Sequence, residues 1–311
     1  MKKIDLIIPC YNPGKELINV LESASNQVVN NNWKISIILV NDASSDIKYI
    51  ERVRENYPAV SIINLEKNTG RSGACDYGAK YSNAEILVFI DADCVFKNKY
   101  MIEDHRYNIC NGNNVNFGKV DVKNRGNIFW DKYFKLISKK RDVQATSKNF
   151  MELTSANMGI SKESYINVYG FDSDYKHYGF EDRDLIYKLI ISEKNIHYSP
   201  SNVVYHKSDL SLVSICKKMM TAGQYTSGVF FNKHPLAYEK MSYSKIDVCL
   251  NSLLKLPINI LWLLFNRSVG VMDSLLSVPY VPFHIKRYIV LAFSTLYFSK
   301  GTLRRCKRLN N

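Results

Sequence analysis

Short apolar runs and amphipathic stretches alternate along the first ninety residues. The runs "IDLIIPC" (4–10), "KISIILVND" (34–42), "VSIINLE" (60–66) and "EILVFI" (85–90) predict four strands. Between them, "GKELINVLESASNQ" (14–27) predicts an amphipathic helix, and "SSDIKYIERVREN" (44–56) a second, capped by Ser45 or Asp46. Residues 68–82 read as a glycine-containing turn and helix. Strands separated by helices of 10–15 residues are βαβ units, which imply a parallel sheet. In such a sheet Asp42, Asn68 and Asp91 fall just beyond strand carboxyl ends, where open α/β sheets bind ligands.

Beyond residue 127 the pattern loosens. "IFWDKYFKLISKKR" (128–141) predicts a helix, and "FMELTSANMGISKESY" (150–165) a strand, a loop and a helix start. "GFEDRDLIYKLIISE" (179–193) predicts a helix with three acids in its first turn, and "NVVYHKS" (202–208) a short strand ending at a histidine. After Ser211 acids nearly vanish, and the apolar runs 253–265 and 288–298 alternate with Lys and Arg. This shift predicts two parts: an α/β catalytic domain over 1–212 and a basic, amphipathic helical extension over 213–311.

Composition sharpens that division. With 46% hydrophobic residues in 311, the chain buries a full core. The net charge is +13, and residues 211–311 carry +11 of it. A basic surface concentrated beside apolar runs suits an anionic membrane face better than nucleic acid, because the charges border the runs instead of tracing a groove. Trp262, Phe265, Tyr288, Phe293, Tyr297 and Phe298 suit helices lying in the membrane interface; packing on the catalytic domain or a homodimer contact is the alternative. No segment reaches the ~20 apolar residues that span a bilayer, and the opening residues have no signal-peptide pattern. Seven cysteines scattered singly predict reduced thiols in a cytosolic protein, with neither a disulfide framework nor a zinc site.

The candidate chemistry begins at "FIDADC" (89–94). An apolar strand that runs into Asp91-Ala92-Asp93 places two carboxylates at the edge of the core, which is costly unless a cation or donor-rich ligand meets them. Two further Asp-x-Asp triplets, 172–174 and 182–184, do not close such a strand. Pro9, Tyr11 and Asn12 break the first strand where an aromatic and an amide suit a flat base, or form a simple turn. Asp42 ends the second strand, as a partner for base or sugar or as a helix cap. Gly70 and its neighbours allow close backbone approach, and Arg71 offers a cation. Glu181 and Asp182 open a helix, where the dipole favours acids, and His206 ends a strand 24 residues after Asp182.

"IIPCYN", "VNDASSD", "KNTGRSGACDYGA", "FIDADC" and "GFEDRDL" occur in the order and at the spacing of glycosyltransferase family 2, which the chain resembles over about residues 3–210. The resemblance implies a GT-A fold, a Rossmann-like, mixed and mostly parallel sheet flanked by helices. It also implies inverting transfer of a sugar from a nucleotide diphosphate donor. It puts Pro9, Tyr11, Asn12, Asp42 and the segment from Asn68 through Gly70 to Arg71 around the nucleoside. Asp91, Ala92 and Asp93 would meet ribose and metal, with Asp182 as the base. His206 looks like a third metal ligand beside Asp93 and Asp91, which favours a UDP-sugar donor and a hexosyl or N-acetylhexosaminyl transfer.

Where many members have Ala-Arg-Asn, this chain has Ala74-Cys75-Asp76, so Arg71 is the candidate substitute for the missing cation. A histidine-and-carboxylate shell tilts the metal from Mg²⁺ towards Mn²⁺. Inversion needs one base and no enzyme nucleophile, a role that fits Asp182, with Glu181 hydrogen-bonding substrate hydroxyls. Asn157 and Trp130 are the candidates for the acceptor side. The acceptor expected is a glycan or lipid-linked hydroxyl, in a bacterial surface polysaccharide pathway such as O-antigen or capsule, met at the inner face of the cytoplasmic membrane. Three rivals fare worse. A haloacid-dehalogenase-like phosphohydrolase would carry its aspartate strand first in the domain, and a Rossmann dehydrogenase would need G-x-G-x-x-G after the first strand. A non-catalytic membrane-binding α/β protein would have no use for so complete a set of polar groups.

Overall fold

The computed structural model describes residues 1–122, 128–207 and 211–309. Strand β1 (Lys2–Cys10), helix α1 (Glu16–Ser25), β2 (Trp33–Asn41), α2 (Lys48–Asn56), β3 (Val60–Asn64), α3 (Gly70–Tyr81) and β4 (Ile86–Ile90) follow in the expected alternation. Then come β5 (Cys94–Phe96), α4 (Met101–Cys110), β6 (Val115–Val122), α5 (Ile128–Thr146), β7 (Asn157–Ser161), α6 (Lys162–Asn167), α7 (Glu181–Ile191) and β8 (Ile196–His206). The strands form one sheet in the order β3-β2-β1-β4-β7-β6-β8-β5. β3, β2, β1 and β4 are mutually parallel, β7 runs antiparallel to both β4 and β6, and β5 antiparallel to β8. The architecture is the expected GT-A-like one.

Continuous apolar runs form these strands because both faces of the sheet are covered. Along β4, Ile86, Val88 and Ile90 enter one core while Leu87 and Phe89 enter the other, and all five are buried. Each such side chain removed from water contributes about 1.5–3 kcal/mol. The run therefore anchors the strand whose next residues are Asp91-Ala92-Asp93. Three elements between β4 and α5 went unread in the sequence: β5, α4 and β6. In β6, "VNFGKVDV" mixes Asn, Gly, Lys and Asp into a strand, and β5 is only three residues long. Helix α2 starts at Lys48, and Asp46 Oδ1 accepts from the Lys48 amide at 3.1 Å, while the Ser45 amide donates to Asn12.

Chain contacts divide the described residues into two units, one of 1–122, 134–176 and 181–207 and another of 128–133, 177–180 and 211–309. The second contains α8 (Leu212–Thr221), a π-helical turn at Ala222–Thr226, α9 (Ser227–Lys233), α10 (Pro235–Glu239), α11 (Ser242–Lys245), α12 (Lys255–Phe265), α13 (Val269–Leu276) and the 27-residue α14 (Phe283–Leu309). Val248, Ile258, Leu296 and Leu303 form a small core there. Among the described residues no helix is long and apolar enough to cross a membrane.

Two expectations for this region are corrected. Phe293, Tyr297 and Phe298 are buried, with Phe298 at 0% exposure, because the apolar side of α14 packs inside its own unit. Of the six expected aromatics, Phe265 and Tyr288 are exposed, alongside Leu253, Leu256, Leu263 and Leu264 around α12, and Val271 and Tyr280. Cys249 and Cys306 are paired, their Cα atoms 5.4 Å apart across a separation of 57 residues. The spacing of single cysteines gave no sign of a contact made by helix packing.

Candidate functional site

Strand ends β1, β2 and β4 surround a pocket of about 440 Å³ lined by Pro9, Tyr11, Asn12, Asp42, Arg71, Asp91, Ala92 and Asp93, all anticipated, together with Cys10, Pro13, Gly14, Glu16, Ala74 and Lys207. Asn68, Gly70, Glu181, Asp182 and His206 do not line it but lie behind or beside it.

Several of these residues build the pocket wall. Asp42 is 3% exposed, and its Oδ1 accepts from the amide and the hydroxyl of Thr69 at 2.7 and 2.8 Å, which fixes the entry to α3. Asn68 donates to the Asp42 carbonyl and accepts from the Gly70 amide. Gly70 has φ +76°, and a Cβ there would stand 2.5 Å from the Lys176 carbonyl oxygen, so only glycine closes this turn. Asn12, at φ 45°, accepts through Oδ1 from the amides of Ser45 and Asp46. Tyr11 stays 54% exposed, free to cover a planar ligand.

Arg71 occupies the centre. Its Nε and Nη2 lie 2.7 Å from Asp91 Oδ1, and its Nη1 lies 3.0 Å from Ser155 Oγ and 3.3 Å from Asp182 Oδ1. One guanidinium therefore joins the carboxylate at the end of β4 to the one that opens α7. Asp182 also accepts from the hydroxyls of Thr154, at 2.8 Å, and Ser155. Burial acts to raise its carboxyl, but Arg71 and the two hydroxyls outweigh it, and Asp182 sits below the ordinary carboxylate value. Thr154 and Ser155 were missed in the sequence because nothing local marks a hydroxyl that is aimed at a residue 27 positions away. Arg71→Met is expected to leave two poorly solvated carboxylates facing each other and to cost about 3 kcal/mol, the low end for a broken buried pair, because the arginine keeps some exposure. Urea denaturation measures it; a loss under about 0.5 kcal/mol, typical of a surface pair, would mean that water already screens the cluster.

A second group lies at the pocket edge. His206 Nε2 is 3.1 Å from Asp93 Oδ2, and the β5–β8 register sets Cys94 opposite His206. Ligand atoms of Asp93, Cys94 and His206 lie within 4.8 Å of one another. The Asp93 carboxylate and the His206 imidazole keep partial exposure, whereas Cys94 is fully buried in the core. One carboxylate lining the pocket and one partly exposed imidazole beside it fit a divalent cation of borderline hardness. Asp91, the third expected ligand, is engaged by Arg71 instead.

Other anticipated residues lie elsewhere. Asn157 is fully buried, donates to the Lys119 and Asn202 carbonyls and meets His105 through Oδ1 at 2.9 Å. Trp130 is 1% exposed within an aromatic cluster with Phe129 and Tyr133. Neither offers a surface to an acceptor; core packing has claimed both. Glu181 is 8% exposed, so little of it is left for substrate hydroxyls. In the divergent triplet, Ala74 lines the pocket, Cys75 is buried, and Asp76 pairs with Lys80 at 2.6 Å and with the Tyr165 hydroxyl. Arg71 is therefore the arginine that lines the pocket.

Comparison with known proteins matches this geometry to a family. The model described as glycosyl transferase family 2 matches residues 5–169, and one described as the N-terminal domain of galactosyltransferase matches residues 138–207. The chain is 28% identical over 128 residues to the poly(ribitol-phosphate) beta-N-acetylglucosaminyltransferase TarP of Staphylococcus aureus strain N315, across 40% of this chain and 39% of that one. It is 24% identical over 209 residues to the poly-beta-1,6-N-acetyl-D-glucosamine synthase of S. aureus strain COL, across 64% of this chain and 48% of that one. It thus spans less than half the length of these relatives. Among solved structures, S. aureus TarS 1–349 in complex with UDP-GlcNAc superposes with a TM-score of 0.54 at 17% identity, covering 100% of this chain and 93% of that one. Mannosyltransferase PcManGT from Pyrobaculum calidifontis, in complex with GDP-Man and Mn2+, gives 0.58 at 14% identity, covering 97% and 86%. These two likenesses carry the fold alone. The family match covers more than half of the 311 residues, along the strands and turns that build the pocket, and the chain belongs to glycosyltransferase family 2.

Proposed function

We propose that this enzyme transfers a hexosyl or N-acetylhexosaminyl group from a UDP-sugar, with inversion, to a hydroxyl of a glycan or lipid-linked acceptor in bacterial surface polysaccharide synthesis. The observation that carries the reading is the convergence of the Asp93–His206 pair and the Asp91–Arg71–Asp182 bridge at one strand-end pocket. Tyr11, Asp42 and the α3 turn receive the nucleoside, and Arg71 faces the donor's diphosphate. Asp93 and His206 hold a divalent cation, Mn²⁺ or Mg²⁺, which neutralises charge on the departing diphosphate. Asp182 is the base: ionised at neutral pH, it accepts the proton of the acceptor hydroxyl as that oxygen attacks the anomeric carbon in a single displacement. The names of TarP and of the poly-N-acetylglucosamine synthase support an N-acetylglucosamine donor.

The catalytic work is assigned to residues 1–212, and peripheral docking on the inner face of the cytoplasmic membrane to 213–311, whose surplus charge is positive. The test is hydrolysis of a panel of UDP- and GDP-sugars with Mn²⁺, Mg²⁺ or chelator. Release of UDP from UDP-GlcNAc, abolished by chelator, is expected. Metal-independent release would overturn the metal assignment, and a preference for a GDP-sugar the donor assignment.

A further inference from the structure

Within the second unit, the start of α5 and the start of α14 meet at a groove of about 470 Å³. Phe129 and Lys132 from α5 line it, as do Phe283 and Lys286 from α14, and the loop through Pro279 and Val281 closes one side. The two helices exchange contacts in a reciprocal way. Lys132 Nζ lies 4.8 Å from the ring centre of Phe283, Lys286 Nζ lies 5.7 Å from that of Phe129, and the two rings are 5.7 Å apart.

Lys286 is the unusual member. It is only 7% exposed, yet its ammonium has no hydrogen bond or ion pair to any described residue. Its stem is buried, and its ammonium has the Phe129 ring face as a weak cation–π contact, with no anionic group among the described residues beside it. Its place makes matters worse. Lys286 sits in the first turn of a 27-residue helix, and Lys132 near the start of a 19-residue helix, where the peptide dipoles are positive and repel cations. Asp131, the acid in the first turn of α5, does not line the groove and has its own partner. Two helix N-termini and two ammonium groups thus face one apolar space lined by no acid among the described residues, an arrangement complementary to an anion.

We infer that this groove binds a phosphate carried on an apolar chain, the head of an anionic lipid, with Lys286 and Lys132 on the phosphate and Phe129, Phe283 and Val281 against the chain. The wall loop carries Tyr280 at 93% exposure, a side chain suited to the bilayer interface. The inference deepens the membrane-docking reading above by naming the lipid head that α5 and α14 hold, and it is independent of the donor and the metal.

The test titrates the full chain with dihexanoyl phosphatidic acid, dihexanoylglycerol and inorganic phosphate, by calorimetry and by tryptophan fluorescence from Trp130, next to Phe129. The lipid phosphate is expected to bind at least tenfold more tightly than either of the others. Lys286→Met should weaken it about tenfold, Lys286→Arg should restore it, and Lys132→Gln, at an exposed position, should weaken it several-fold even if Lys286→Met folds poorly. UDP binding should stay the same in all three, which separates this site from the catalytic one. Flotation should follow phosphatidylglycerol vesicles and not phosphatidylcholine vesicles. Equal binding of inorganic phosphate would mark a simple anion site, and equal binding of the neutral glycerolipid a simple apolar groove. Either result, or unchanged affinity in both Lys286→Met and Lys132→Gln, overturns the proposal.

Discussion

Asp182→Asn is expected to keep UDP binding within about twofold of the parent chain and to lose sugar transfer by a factor of about 10² to 10⁴, the contribution of a positioned base. The amide keeps the shape and can still receive the Thr154 hydroxyl, so the fold around α7 survives while the proton acceptor is gone. The same carboxyl is expected to set the acid side of the pH profile. Its value in the folded chain lies below the ordinary one, because Arg71 and two hydroxyls outweigh burial. Asp182 is therefore ionised throughout the neutral range, and both its activity and its contribution to stability are lost only as pH falls through that depressed value. Single-turnover transfer, measured beside UDP calorimetry, separates the two readouts. Near-normal turnover in Asp182→Asn would remove Asp182 from the role of base.

Asp93→Ala should abolish the metal-dependent part of UDP binding, a loss of about a hundredfold at saturating Mn²⁺, and leave metal-free binding unchanged. The carboxylate is one of two side chains with exposed ligand atoms at the pocket edge, and losing a direct ligand weakens a site more than losing an outer partner, which already costs 10–100-fold. His206→Ala should follow with a smaller loss, because a neutral imidazole brings no charge to the cation. Calorimetry with UDP, at several Mn²⁺ concentrations and with chelator, reads both variants. Equal UDP affinity of Asp93→Ala with and without Mn²⁺ is the expected signature; a persistent metal effect of full size would move the metal away from Asp93.

Both predictions lean on residues that the sequence offered for a physical reason. An apolar run closed by Asp91-Ala92-Asp93 is legible because burial and charge conflict within three residues. The turn at Gly70 is legible because a left-handed backbone selects glycine. Asn157 and Trp130 misled for the opposite reason. An amide and an indole look alike whether they face a ligand or a core, and here His105, Asn202 and Phe129 claim them. The aromatic residues of α14 misled in the same way, because a run of apolar and basic residues does not say which side of its helix another element covers.

The sequence by itself determined the βα alternation, the parallel half of the sheet, the identity of the strand-end residues and the basic, apolar character of the last hundred residues. All of these follow from local periodicity, turn chemistry and composition. Only the tertiary structure decided that one arginine holds Asp91 and Asp182 together across 20 and 111 residues of chain, and that Thr154 and Ser155 depress the carboxyl of Asp182. It likewise decided that Cys249 meets Cys306, and that Lys286 is buried between two helix starts with no counter-charge among the described residues. Such partners are chosen by strand register and helix packing, which bring together residues that no interval along the chain connects.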